Sequence, residues 1–147
     1  MKNPLIPIRL AAALALVFAI GHTLGGLQSW SPIGPTAVLS SMQTFRFDVS
    51  GVTRSYADFY RGFGFLLSVF LVTEAVLLWQ LANLARADRA SAKPFAWIFF
   101  LSSLPIAGLT SVFLFPMPVY FDAALTALLG WAVFSLAGPA GHQKEVA

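Results

Sequence analysis

Three ionisable residues interrupt strongly apolar stretches of the sequence: His22, Glu74 and Asp122. An ionisable group inside a membrane span is costly to bury, so each one is by default a candidate functional group. A histidine in contact with an acid could pass a proton to a bound molecule or donate a hydrogen bond to a quinone. We therefore take all three as candidate catalytic residues and as candidate ligand-binding residues.

Each of these residues also has a purely structural interpretation. A lone histidine such as His22 on an apolar helix is more often a hydrogen-bonded packing residue than a ligand. Asp122 comes early in its helix, where the helix dipole stabilises an acid. With a helical rise of about 1.5 Å per residue, Glu74 is predicted to lie at a depth of its own, near Ser102 and Ser103. The sequence leaves the choice between the two interpretations open.

A further set of charges begins another apolar stretch, with Arg54, Asp58 and Arg61 at helical spacing. Ser55 and Asp58 have the spacing of a capping box, and the three charged residues can pair along one helix face. The alternative is a headgroup or anion site in which Arg61 supplies the charge, with Asp58 and Tyr60 beside it.

Helix geometry brings several of these residues to one level. Counted from the inner end of their helices, His22 and Asp122 come to the same height, and Arg61 begins above them. Glycines at 21, 25, 26, 62 and 64 fall in the same half of the chain's spans and leave room for close helix contact or a ligand. We therefore expect a site between His22 and Asp122 in the outer half of a helix bundle.

The composition decides the class of protein. Of the 147 residues, 58% are hydrophobic and only 10% are charged, whereas a soluble domain is about 25% charged. The chain is therefore predicted to be an integral membrane protein. It has no cysteine, which excludes disulfides and cysteine-ligated metals. One histidine in the spans cannot supply both axial ligands of a haem, and no metal site is predicted.

The hydrophobic runs predict an all-α fold, an antiparallel four-helix membrane bundle that forms a single domain over residues 1–147. A loop is expected over 84–94, and the turn at 116–118 would make spans 3 and 4 antiparallel neighbours. The long first connection is expected to hold a short amphipathic helix within 36–49, although residues 45–49 alternate and could equally form a strand. The four spans are expected at about 8–27, 57–83, 95–115 and 119–136.

The basic residues predict the orientation of the spans. In a four-span arrangement six of them fall on one side and three on the other, which favours cytoplasmic N- and C-termini in the inner membrane of a bacterium. The same rule accounts for the basic pI of about 9.7 without a nucleic-acid partner. On the richer side are Lys2, Arg9, Arg86, Arg89, Lys93 and Lys144; on the other are Arg46, Arg54 and Arg61.

Two short motifs carry a resemblance to known proteins. The segments Gly21-His22-Thr23 and Asp58-Phe59-Tyr60-x-Gly62-x-Gly64-Phe65 resemble small uncharacterised four-helix membrane proteins of bacteria, a group that implies no particular activity. The layout is similar to that of the sterol-isomerase and sigma-2-receptor family, in which acids face a lipophilic cavity. That likeness, which is one of architecture only, would place His22 and Glu74 in the cavity.

Three functional hypotheses follow. The first is a protein that binds a lipophilic molecule (a lipid, an isoprenoid or a quinone) through His22, Asp58, Tyr60, Arg61, Glu74 and Asp122. The second is a membrane enzyme of isomerase or oxidoreductase type in which His22 and an acid transfer a proton. The third is an accessory subunit of a larger membrane complex. No cofactor is predicted apart from a possible quinone, and the expected partners are membrane lipids, a lipophilic small molecule, a second copy or another membrane protein.

Overall fold

The computed structural model describes residues 3–31 and 33–137, and most of them are helical. This confirms the predicted all-α class, with one small hairpin as an addition. The elements in chain order are α1 (Leu5–Leu27), α2 (Ala37–Thr44), β1 (Arg46–Val49), β2 (Val52–Ser55), α3 (Tyr56–Ala87), α4 (Arg89–Phe113) and α5 (Pro116–Ala137).

Four of the helices, α1, α3, α4 and α5, are long and apolar enough to cross a membrane. Large apolar side chains point outward on them. Phe63 is 69% exposed, and Phe113 and Phe134 are each 75% exposed. An apolar surface of this extent suits contact with lipid better than contact with water.

The predicted loop over 84–94 is wrong, because helix continues on both sides of a single residue. α3 ends at Ala87 and α4 begins at Arg89, so Asp88 alone connects them. The Asp88 carboxylate accepts hydrogen bonds from the backbone N–H groups of Ala90 (2.9 Å) and Ser91 (3.3 Å). This N-cap starts the new helix at once. Arginine and lysine are good helix formers, so the basic residues here gave no reason for a loop.

The long first connection contains both of the structures that the sequence left open. α2 occupies Ala37–Thr44, and β1 begins two residues later at Arg46. β1 pairs with β2 in an antiparallel hairpin in which Arg46 lies opposite Ser55. Ser50 and Gly51 both have positive φ, 52° and 81°, as a two-residue type I′ turn requires. The Ser50-Gly51 dipeptide was the sequence signal for this hairpin, which the sequence analysis missed.

The chain divides into two compact units, and the boundaries fall within α1 and within α3. The first unit contains residues 3–15 and 74–137 of the described chain. Its core is rich in alanine, which lets helix backbones approach closely. The largest fully buried side chains in this core are Ile8, Leu78, Leu129 and Val133, and the buried alanines are Ala11, Ala12, Ala15, Ala75, Ala82, Ala85, Ala92, Ala96 and Ala132.

Within this unit α4 packs along α5. A Cβ on the buried Gly130 would lie 3.2 Å from the Phe100 ring. Further along both helices the Thr126 hydroxyl donates to the carbonyl oxygen of Ser103 at 3.5 Å. The absence of a side chain at Gly130 therefore lets the Phe100 ring lie a few tenths of an ångström closer to α5 than a Cβ at this position would.

The second unit is Leu16–Thr73, and in it an aromatic cluster holds the hairpin against the start of α3. The ring of Phe47 in β1 lies 4.8 Å from that of Tyr56 and 6.0 Å from that of Phe59. Phe45 stacks on Tyr56 with ring centroids 6.1 Å apart. Aromatic contacts of this kind each add about 0.5–1.5 kcal/mol to the energy of burial, so the hairpin has a defined position at the first turns of α3.

Candidate functional site

The end of α1 sets the position of Trp30. The backbone N–H of Trp30 donates to the carbonyl oxygen of Gly25 at 2.9 Å, and that of Ser29 donates to Gly26 at 3.0 Å. Ser29 has a φ of 61°, so these bonds form a Schellman motif in which a left-handed residue reverses the chain. The residue after the reversal is placed over the last turn of the helix, and that residue is Trp30.

The Trp30 indole fills a slot between two glycines on different helices. A Cβ on Gly26 would come within 2.9 Å of three indole atoms, and one on Gly64 would come within 2.6 Å of three. The indole N–H donates to the carbonyl oxygen of His22 at 2.9 Å, and the Tyr60 hydroxyl donates to the carbonyl oxygen of Trp30 at 3.3 Å. The expected vacant space at Gly26 and Gly64 is therefore occupied by a side chain of the protein.

His22 lies beside this indole in a hydrogen-bonded packing position. Its Nδ1 is 3.0 Å from the Ser68 hydroxyl oxygen, and its ring centroid is 5.3 Å from that of Trp30 and 6.2 Å from that of Phe18. These contacts match the structural interpretation of His22. Asp122 belongs to the other unit, so the pairing of His22 with Asp122 stays a prediction.

The two acids within the long apolar helices, Asp122 in α5 and Glu74 in α3, belong to the same unit. Asp122 is only 7% exposed and lies near the Thr110 hydroxyl, which donates to the carbonyl oxygen of Ile106 at 2.9 Å. Glu74 is half-buried and near enough to Asp122 to interact with it electrostatically. The hydroxyls of Ser102 and Ser103, the expected neighbours of Glu74, donate to carbonyl oxygens of their own helix, and their position beside Glu74 stays a prediction. Glu74 and Asp122 are thus close enough to interact electrostatically, whereas their predicted depths had placed them at different levels.

At the start of α3 the predicted capping box is confirmed. The Ser55 backbone N–H donates to Asp58 Oδ2 at 2.9 Å, and the Asp58 N–H donates to Ser55 Oγ at 3.2 Å. The cation that pairs with Asp58 is Arg46, whose Nη1 lies 3.6 Å from Oδ2. Arg46 was not predicted as this partner, because only the hairpin register places it opposite Ser55.

Beside this cap a groove runs along one face of α3. Five of its lining residues belong to α3 and follow the spacing i, i+1, i+4, i+5 and i+8, which places them on one side of the helix. The sixth, Arg54, belongs to β2. The groove has a volume of about 220 Å³. It is open at Gly62, where a Cβ would meet no other atom within 4 Å. We call it the α3 groove; its lining residues are Arg54, Asp58, Phe59, Gly62, Phe63 and Leu66.

The surface of the α3 groove is mainly apolar, and two charged residues lie at one end of it. Arg54 and Asp58 provide charge at one end, and Phe59, Phe63 and Leu66 provide an apolar wall along the rest. Such a surface can hold a molecule that has a polar head and an apolar tail. The predicted ligand residue Asp58 lines it, whereas Arg61 is exposed and does not.

No family model, curated protein or solved structure matches the chain. The resemblance to small four-helix bacterial membrane proteins therefore stays a prediction.

Proposed function

We propose that this protein is a multi-pass membrane protein that binds a lipophilic molecule with a polar end in the α3 groove. The observation that carries the proposal is the lining of the groove, a mainly apolar wall with Arg54 and Asp58 at one end. A lipid, an isoprenoid or a quinone has the same division into head and tail. The predicted binding residue Asp58 is retained in this proposal.

The membrane setting is part of the proposal. Four helices have the length and composition of membrane spans, and large apolar side chains cover their outer faces. An antiparallel arrangement of spans is supported for α4 and α5 by the contacts of Phe100 with Gly130 and of Ser103 with Thr126, since the earlier residue of α4 meets the later residue of α5. The excess of basic residues on one side supports an inner-membrane location with cytoplasmic termini.

In this orientation the α3 groove opens at the outer end of α3. The Arg54 and Asp58 end would lie at headgroup level, and Phe63 and Leu66 would lie deeper, at the level of the acyl chains. A bound amphiphile then keeps the depth it already has in the bilayer. Binding from the membrane therefore needs no transfer of the tail through water.

The test uses a substitution that fills the groove without changing a charged residue. Gly62→Leu places a side chain in the open part of the groove, and Gly21→Leu is the matched control, because a Cβ at Gly21 also meets nothing within 4 Å. We expect the purified wild-type protein and Gly21→Leu to retain a co-purified lipophilic molecule that native mass spectrometry detects. Gly62→Leu should lose it while circular dichroism shows an unchanged helix content. Equal retention by both variants contradicts the proposal.

A further inference from the structure

We infer that the molecule held in the α3 groove is a phospholipid whose phosphate headgroup carries a net negative charge, and that Arg54 binds this phosphate. The inference rests on the proposed function and adds the chemical identity of the head. It follows from how the charges around the groove are already paired.

The one carboxylate of the groove has its partners within the protein. Asp58 Oδ2 accepts the Ser55 backbone N–H at 2.9 Å and lies 3.6 Å from Arg46 Nη1. Its negative charge is therefore balanced in part by Arg46, a cation that does not line the groove, and in part by Arg54, which attracts it electrostatically without forming a salt bridge. Asp58 lines the groove, but its charge already has partners within the protein and does not require a positively charged ligand.

Arg54, by contrast, has guanidinium N–H groups that are not used in hydrogen bonds among the described residues. Its Nη1 donates to the carbonyl oxygen of Thr53 at 2.9 Å, a neutral partner, and a guanidinium has five N–H donors. Among the residues that the structure describes, no acid forms a salt bridge with Arg54. Arg46, Arg54 and Asp58 together carry one more positive charge than negative. The group at the head of the groove that forms no salt bridge is thus the Arg54 guanidinium. Its planar set of N–H donors matches the oxygen atoms of a phosphate.

The apolar lining identifies the source of the phosphate. Inorganic phosphate or a soluble phosphate ester would leave the wall of Phe59, Phe63 and Leu66 without a partner. An acyl chain covers that wall, so tail and head bind together. A zwitterionic lipid has the same tail and phosphate, but its cationic headgroup lies near Arg54 and weakens the attraction. We therefore expect a preference for anionic over zwitterionic lipid that falls as salt is raised.

The test titrates the full chain in detergent with dimyristoyl phosphatidylglycerol and with dimyristoyl phosphatidylcholine, followed by native mass spectrometry. The wild type should prefer phosphatidylglycerol. Arg54→Gln should lose about fivefold of that preference, the effect of one arginine at an anionic lipid surface, and Arg54→Lys should keep most of it. Arg61→Gln is the matched control, because Arg61 is an exposed cation outside the groove. Millimolar inorganic phosphate should not displace the lipid.

The variants separate the inference from the proposed function. If Gly62→Leu abolishes binding of both lipids but Arg54→Gln keeps the preference, the groove binds lipid and the inference is wrong. If Gly62→Leu binds both lipids normally, both ideas fail. Equal losses in Arg54→Gln and Arg61→Gln indicate a general surface-charge effect and overturn the role of Arg54. Displacement by inorganic phosphate overturns the choice of a lipid.

Discussion

The Trp30 indole lies against Gly64 so closely that a Cβ on Gly64 would come within 2.6 Å of three of its ring carbons. The ring also lies against Gly26 in α1, and its N–H donates to the carbonyl oxygen of His22. One side chain thus joins the end of α1 to α3 inside the Leu16–Thr73 unit. The stability of this unit should depend on the two glycines that admit the ring.

The first prediction concerns the slot itself. Gly64→Ala should displace the indole and destabilise the protein by about 1–3 kcal/mol, the usual cost of overpacking. Thermal unfolding in detergent measures the loss, and Trp30 fluorescence, isolated by comparison with Trp30→Phe, should shift to the red. Gly62→Ala is the control, because its Cβ meets nothing within 4 Å and alanine favours helix by about 0.5–1 kcal/mol. Equal effects of the two substitutions would show that Trp30 does not occupy the slot.

The second prediction concerns the cap of α3. Ser55 is 1% exposed, and its hydroxyl accepts the Asp58 N–H at 3.2 Å. Ser55→Ala should therefore cost about 0.5–2 kcal/mol, as the loss of an N-cap does, and thermal unfolding should show it. Ser41→Ala serves as the comparison, since Ser41 is exposed and donates only to a carbonyl of its own helix. A negligible change for Ser55→Ala would mean that the capping box contributes no stability.

The third prediction is a pH dependence at the connection between α3 and α4. Hydrogen bonds from the Ser91 hydroxyl and from the Ser91 and Ala90 N–H groups lower the pKa of Asp88 from its ordinary value of 3.8. Folding therefore favours the ionised carboxylate, so its stabilising effect is complete above the unfolded-state pKa and is lost as the pH falls through the lower folded-state pKa.

For Asp88 we expect the melting temperature to fall more steeply for the wild type than for Asp88→Asn when the pH is lowered below about 4. Asparagine is also a good N-cap residue, so the two proteins should have similar stability at neutral pH. The difference between their pH profiles removes the contribution of the other carboxylates. Parallel profiles would show that Asp88 has the same pKa in the folded and unfolded protein.

The fourth prediction concerns His22. Ser68 is 7% exposed and is the hydrogen-bond partner of His22 Nδ1 at 3.0 Å, so Ser68→Ala should leave that nitrogen without a partner at a cost of about 1 kcal/mol. Nitrogen NMR of labelled histidine should show an altered Nδ1 shift, a signal that a simple packing defect would not produce. Thr73→Ala is the control, because its hydroxyl donates only to the Val69 carbonyl oxygen. An unchanged Nδ1 shift in Ser68→Ala would exclude this hydrogen bond.

Local sequence determined the helices and the capping box of α3. Apolar runs of about 20 residues are long enough to span a bilayer whatever lies beside them, and Ser55 and Asp58 meet because a capping box joins residues three apart. The same locality explains the hairpin turn at Ser50 and Gly51, although its signal was overlooked. These features depend only on residues that are close together along the chain, so they can be predicted from the sequence.

Only the tertiary structure decided which distant residues meet. In the sequence Trp30 is an aromatic residue of the predicted membrane interface, and Gly64 is a small residue 34 positions later. Their residue types alone do not predict that the Trp30 ring fills the space beside Gly64. The pairing of Arg46 with Asp58 likewise depends on the hairpin register. Residue type limits which contacts are favourable. Which residues actually meet depends on chain reversals, such as the one at Ser29, and on the space left at glycines.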